Sequence, residues 1–248
     1  MSRSGRTAGP GTPRGDLARR ARVHAALGEP TRLAVTDLLA VGDLSPGEIA
    51  AALGLPGNLL AHHLRILEAA GVVRRLRSEG DGRRVYVSLA VGPPDIAIPH
   101  LGEVGRVVFV CTRNSARSPL AAASWRTVSA VEVASAGTSP ADAVHPGAVA
   151  AGAAHGLRLA GVRPAHVRDV LAGNPGDLVV TVCDAAHEAV DPTCPDTARR
   201  LHWSVPDPVR GGSPRAFEDA LGDIRGRVAR LARALPGATA GPGRDIGP

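Results

Sequence analysis

The sequence predicts two domains of different class: an α+β winged helix-turn-helix domain over residues 16–90, then an α/β domain over residues 106–235 built on a four-stranded parallel sheet. Three observations carry that reading. Up to residue 70 apolar residues recur at three-to-four spacing through four successive helical patterns, and two short alternating runs follow. From residue 106 the rhythm changes to continuous apolar strands separated by turns and helices, the mark of a parallel sheet covered on both faces. Between them "VGPPDIAIPHLGEVG", residues 91–105, holds three prolines and three glycines and reads as a linker.

Taken in order, helices are expected at 17–28, 30–40, 45–53 and 57–70. Ser45, Pro46 and Glu48 form a capping box that opens the third, Gly54 and Pro56 close it, and Gly71 ends the fourth. "VVRRLRSEGDGRRVYVSL", residues 72–89, reads as a β-hairpin turning at "EGDG". Downstream, strands are expected at 106–111, 131–135, 177–182 and about 199–203, with helices at 117–128, 146–155 and 214–235. Residues 1–15 and 236–248, rich in Gly and Pro without periodicity, read as disordered tails.

The chain has 248 residues, 44% of them apolar, enough for two cores. All 29 basic residues are arginine, a bias that follows the abundance of Ala, Gly and Pro and by itself says little about partners. Position says more: residues 1–92 hold 13 Arg against 8 Asp and Glu, residues 93–248 hold 16 against 15, so the excess charge sits in the N-terminal part, a balance that suits polyanion binding and a solvated charged surface alike. No apolar stretch is long enough to span a bilayer and the N-terminus has no apolar leader segment, so a cytoplasmic protein is expected. Three cysteines are too few for a disulfide scaffold, and each is either a packed apolar residue or a reactive thiol.

The order helix, helix, helix-turn-helix, hairpin places the second helix of the motif in a major groove and the hairpin against the DNA backbone. "ALGEPTRLAVTDLLA" at 26–40, "LSPGEIAAALGLPGNLLAHHLRILEAAGVV" at 44–73 and "GDGRRVYVSL" at 80–89 resemble the ArsR family of dimeric bacterial repressors. The resemblance implies a homodimer formed through the first helix and a double-stranded DNA operator. It puts Asn58, Leu59, Ala61, His62, His63 and Arg65 on the recognition helix, with Arg83 and Arg84 on the wing against phosphates. Residues 1–110 contain no cysteine, which excludes the thiolate metal or arsenite sensing common in that family, and His24, His62 and His63 show no metal-ligand spacing.

In the second domain "VVFVCTRNSARSPLA", residues 107–121, sets Cys111 at a strand end and Arg117 at a helix start. In a C-x5-R loop of this kind backbone N–H groups and the helix N-terminus converge on an oxyanion, the arginine clamps it, and the same field favours thiolate. Ser118 is placed to donate to the sulfur. The loop, together with "SAGTSP" at 135–140, "VHPGAV" at 144–149, "LVVTVCD" at 178–184 and "HWSVPDP" at 202–208, resembles the low-molecular-weight protein tyrosine phosphatases and the arsenate reductases that share their flavodoxin-like fold. The resemblance makes Cys111 the nucleophile, Arg117 the clamp, Asp207 the general acid, and Thr112, Arg113, Asn114, Ser115, Ala116 and Ser118 the rest of the oxyanion loop.

The two activities part at the second step, where water makes a phosphatase and a second thiol a reductase. Cys183, 72 residues after Cys111, stands where thioredoxin-coupled reductases place their second redox cysteine, and Cys194, 11 further on, is placed to finish a disulfide relay. The spacing of that pair is longer than usual in those reductases, Pro119 follows the phosphatase pattern, and Arg113 replaces a small residue. The only tyrosine, Tyr86, lies in the first domain, whereas phosphotyrosine phosphatases surround their pocket with aromatics. The expected function is therefore an ArsR-type regulator fused to an arsenate-reductase-like domain, with no bound cofactor or metal and with thioredoxin or a low-molecular-weight thiol as reductant. A phosphatase acting on phosphotyrosine or a small phosphoester, and a regulator that senses an oxyanion without turnover, stay open.

Overall fold

The computed structural model describes residues 14–90, 97–172, 176–190 and 199–236. Helices α1 (Arg14–Leu27), α2 (Pro30–Leu38), α3 (Pro46–Leu53) and α4 (Gly57–Ala69) precede the antiparallel strands β1 (Val73–Arg77) and β2 (Val85–Leu89), in which Val73 faces Leu89 and Arg77 faces Val85. Local chemistry sets the boundaries. The Glu29 carboxylate accepts from the Thr31 and Arg32 amides at the start of α2, and the Ser45–Glu48 capping box forms in both directions before Gly54 ends α3 at φ 62°. Val35, Leu39, Ile49, Leu60, Leu64 and Leu67 close a core against Val73 and Val87 of the hairpin.

The second unit runs β3 (Arg106–Cys111), α5 (Arg117–Trp125), β4 (Glu132–Gly137), α6 (Pro146–Ala154), α7 (Val167–Leu171), β5 (Asp177–Thr181), α8 (Asp184–Val190), β6 (Arg199–His202), α9 (Pro208–Gly211) and α10 (Pro214–Ala234). All strand pairs are parallel and the order is β4-β3-β5-β6. The first strand of the domain thus lies inside the sheet, and the crevice beyond its C-terminal end, at the point where the winding reverses, is where an open α/β sheet binds its ligand. Cys111 is the last residue of that strand. Phe217, Leu221, Ile224, Val228 and Leu231 give α10 one buried apolar face, and Trp125, Trp203 and Phe109 fill the centre of the same core.

The strands match the expected ones to within two residues at each end. Three short helices, α7, α8 and α9, were not expected, because four to seven residues make less than two helical turns and leave no periodicity to read. Helix α1 opens at Arg14, inside the segment read as a tail; residues 1–13 and 237–248 lie outside the described residues. The end of the segment read as a linker is tied down: the Leu101 amide donates to the Ala234 carbonyl at 2.9 Å, and Ile98 and Leu101 pack on Ala40, Val41 and Ala234.

The two units are joined by buried polar contacts. Arg227 of α10 donates through Nη1 to both Asp43 oxygens at 2.9 Å, through Nη2 to Ser88 at 2.9 Å and through Nε to Asp223 at 3.0 Å. The Trp203 indole N–H donates to the Val41 carbonyl at 2.7 Å, and the Ser204 amide to Asp43 at 2.7 Å. Burial works against the Arg227 charge, but Asp43 and Asp223 outweigh it and raise its pKa further above the usual arginine value. Removing one partner of such a pair leaves a buried charge uncompensated. Arg227→Ala is therefore expected to cost about 3–5 kcal/mol of stability in urea unfolding. Arg215→Ala, at a pair exposed on both sides, is expected to stay within about 0.5 kcal/mol of wild type in the same titration.

Candidate active site

Residues 112–116 wrap the end of β3 so that the loop's carbonyls face outward. Those of Cys111, Thr112, Arg113 and Ser115 accept from the amides of Thr138, Ser139, Ala141 and His145, at 2.8–3.2 Å. Among the described residues the amides of Arg113, Asn114, Ser115 and Ala116 donate to no internal acceptor, and α5 starts at Ala116 without a side-chain cap. The donors left free at that end suit an anion. Asn114 has φ 47°, and its buried amide spans the loop: Nδ2 donates to Ser118 Oγ at 2.8 Å while Oδ1 accepts from the Ala165 amide at 2.9 Å. Ser118 Oγ lies 3.1 Å from Cys111 Sγ. Gly137 lets the end of β4 close on the loop, since a Cβ there would meet the Thr112 oxygen at 2.9 Å and the Asn114 nitrogen at 3.0 Å.

Arg117, buried, reaches across the crevice. Its Nη1 donates to the Val205 carbonyl at 3.0 Å and to Glu79 Oε2 at 3.1 Å, and its Nη2 sits 3.4 Å from Asp207 Oδ2. Burial disfavours the guanidinium charge, yet Cys183, Asp207, Cys111 and Glu79 together outweigh it and push the arginine's pKa up. Asp207 caps α9, with Oδ1 accepting from the Val209 amide at 3.1 Å. Cys111, Arg117 and Asp207 border a cavity of about 370 Å³, whose other wall is Ala141, Ala143, Val144, His145, Pro146 and Val209. No Phe, Tyr or Trp lines it among the described residues. The Arg113 side chain is exposed and turns to Ser139, at 3.4 Å.

Cys183, at the end of β5, is buried beside the same loop, with its sulfur 3.4 Å from Thr112 Oγ1. Burial pushes its thiol pKa up and the neighbouring Cys111 pushes the same way, while Arg117 and Thr112 pull it back. Cys194 lies outside the described residues. Sequence reasoning missed Glu79. It stands at the tip of the hairpin of the other domain, where "SEGDG" reads only as a turn, and no local pattern points it at an arginine 38 residues later.

On α4, Asn58, Leu59, His62 and Arg65 are exposed and Ala61 is half-buried. His63 differs from the sequence expectation: it is buried, its Nδ1 3.4 Å from Glu29 Oε2, because one step along a helix turns a side chain by about 100° and carries it from the exposed face to the packed one. Arg83 and Arg84 are exposed on the hairpin turn, both paired with Asp81.

Residues 106–239 match the low molecular weight phosphotyrosine protein phosphatase family, and residues 27–75 match a helix-turn-helix domain family. Over 136 residues the chain is 33% identical to arsenate reductase 1 of Bacillus cereus, a match covering 51% of this chain and 92% of that protein. Over 67 residues it is 37% identical to the transcriptional repressor SdpR of Bacillus subtilis, covering 27% of this chain and 71% of the repressor. A solved arsenate reductase from Archaeoglobus fulgidus shares 28% identity, covering 50% of this chain and 97% of its own, with a TM-score of 0.43. The cysteine-headed loop at the end of the inner parallel strand and the match over more than half of the chain agree: this protein belongs to the low molecular weight phosphotyrosine protein phosphatase family, in its phosphatase and arsenate reductase branch with a cysteine nucleophile, and carries an ArsR-type helix-turn-helix domain ahead of it.

Proposed function

We propose that the chain is a DNA-binding regulator of arsenic response whose second domain reduces arsenate through Cys111. The observation that carries this reading is a second thiol, Cys183, set against the oxyanion loop and close enough to Arg117 and Cys111 for their charges to act on it. Cys111 attacks arsenic(V), and one arsenate oxygen leaves as water, protonated by Asp207. Cys183 then attacks the Cys111 sulfur. The S–As bond breaks, its electron pair stays on arsenic as arsenite, and a Cys111–Cys183 disulfide forms; the two thiols supply the two electrons. An external dithiol such as thioredoxin restores the pair by exchange, with Cys194 carrying the disulfide outward. The wall opposite Cys111, which among the described residues carries no Phe, Tyr or Trp, supports a small inorganic substrate over phosphotyrosine. DNA is met by the exposed face of α4 at Asn58, Leu59, His62 and Arg65 and by Arg83 and Arg84, in a homodimer.

Hydrolysis of a small phosphoester is the second reading, favoured by Asp207 beside Arg117, where it serves a leaving oxygen equally well. Arsenate-dependent oxidation of thioredoxin separates the two. Cys111→Ser is expected to abolish it, Cys183→Ser to abolish it with thioredoxin, and Asp207→Ala to slow it by about 10²–10⁴-fold. Hydrolysis of para-nitrophenyl phosphate that survives Cys183→Ser, without arsenate turnover, would establish the phosphatase instead. Oxyanion binding without turnover of either substrate would leave a sensing regulator.

Because the Cys183 thiol titrates above the ordinary value of about 8.5, its thiolate fraction rises about tenfold per pH unit up to that value. Single-turnover disulfide formation should therefore accelerate from about pH 6 to about pH 8, and a pH-independent rate would exclude Cys183 as the attacking thiol. Gly137→Ala displaces Thr112 and Asn114 and is expected to lower turnover by about 100-fold with little change in circular dichroism.

A further inference from the structure

Resting on the reading of residues 111–117 as an oxyanion site, we infer that Glu79 on the wing is its built-in competitor: a bound oxyanion and the wing carboxylate contend for Arg117, so that filling the site frees the wing. The carboxylate is held at both oxygens. Oε2 accepts from Arg117 Nη1 at 3.1 Å and Oε1 from the Asp207 amide at 3.0 Å, which places a unit of negative charge beside the clamp and the acid. A dianion entering the loop brings its own charge to the same guanidinium and repels the carboxylate that shares it.

The rest of the wing turn is anchored to the second domain next to that contact. The Glu79 amide donates to Asp184 at 2.8 Å, and the Asp81 amide and the Ser78 hydroxyl donate to Glu188, each at 2.7 Å. Gly80 lies flat on α8, where an added Cβ would meet Glu188 and stand 2.9 Å from the Ala185 Cα. These anchors hold the turn that also carries Arg83 and Arg84, both exposed and expected on DNA phosphates, while the strands of the hairpin are held separately, Tyr86 by Glu188 at 3.4 Å and Arg74 by Asp223 at 2.7 Å. Displacing Glu79 therefore alters the position and order of the DNA-contacting turn. By linkage, whatever DNA does to the wing is returned to the oxyanion site by the same factor.

Two variants of the full chain separate this coupling from a structural role. Glu79→Gln keeps the shape and, through its single amide oxygen, one of the two acceptor contacts, and removes the charge; Gly80→Ala keeps the charge and lifts the turn off α8. Titration calorimetry with inorganic phosphate should give about tenfold tighter binding for Glu79→Gln, and tighter binding for Gly80→Ala as well. In the wild type, saturating phosphate should speed hydrogen exchange at the Glu79 and Asp81 amides several-fold, and in Glu79→Gln that response should largely vanish. Phosphate affinity unchanged or weaker in both variants, or wild-type wing exchange indifferent to saturating phosphate, overturns the inference while leaving the oxyanion site standing. No phosphate binding to the wild type, with neither tungstate nor arsenate replacing it, overturns both together.

Discussion

The buried pair of Arg227 and Asp43 is the constraint on which the rest of this structure depends. Burying each charge costs several kcal/mol, offset only when geometry and additional hydrogen bonds are good, so such a pair contributes more to a unique arrangement than to net stability. Here both Asp43 oxygens are taken by Arg227, and one also accepts from the Ser204 amide; Arg227 in turn holds Ser88 on β2 and Asp223 on its own helix. Three segments meet at this ion pair: the turn after α2 through Asp43, the second strand of the wing through Ser88 on Arg227, and the stretch leading to Asp207 through Ser204 on Asp43. Fixing the domains relative to one another and fixing the approach to Asp207 are thus one event.

What that docking delivers is a second shared cation. Arg117 closes the loop that follows Cys111 in its own domain and meets a carboxylate of the other, and its charge is held in place by four neighbouring groups of opposite or potentially opposite sign. A site with one arginine and several anionic neighbours is close to balance when empty. Its affinity for an incoming anion then depends on which neighbour gives way, and among them Glu79 is the one mounted on a hairpin rather than on the strand or helix framework of the sheet. Asp184 adds to this: buried with His202 at 3.0 Å, it is kept below the usual carboxylate range because His202, the Glu79 amide and Ser204 outweigh the cost of burying it.

Periodicity and turn chemistry were enough to read the architecture, because α2, α3 and α10 have side-chain N-caps, α3 and α4 end at left-handed glycines, and the inner strands β3 and β5 have their own apolar runs. Ser45, Gly54 and Gly71 act where they stand, and Cys111 and Arg117 share one loop, so local sequence was a sufficient guide. The remainder depends on chain segments far apart. His63 is drawn inward by Glu29, 34 residues earlier on the far side of two helices, and helical spacing alone could not say which of two adjacent histidines faces out. Asp43 meets an arginine 184 residues away, and Glu79 meets Asp207 across 128. Such pairs have no signature, since a charged residue on a turn is ordinarily solvated and only the docked partner turns it into a buried contact.

Joining a helix-turn-helix domain and a low molecular weight phosphatase domain in one chain has a physical consequence beyond co-expression. A short connection between the units keeps the wing at an effective concentration of order millimolar near α8, so a contact made by a few hydrogen bonds stays closed without being strong. Weakness is what a switch requires, because a ligand can shift an equilibrium only by its differential affinity for the two states. A dianion that takes over one arginine has a limited difference to offer, enough to open a tethered contact of this size but not one reinforced by an extensive apolar interface. The small apolar patch of Ala40, Val41 and Ala234 and the Arg227–Asp43 pair lie away from the wing tip, so the domains can stay docked while the tip is released. Coupling then needs no rigid-body separation of the domains, only a change at the turn that carries Glu79, Arg83 and Arg84.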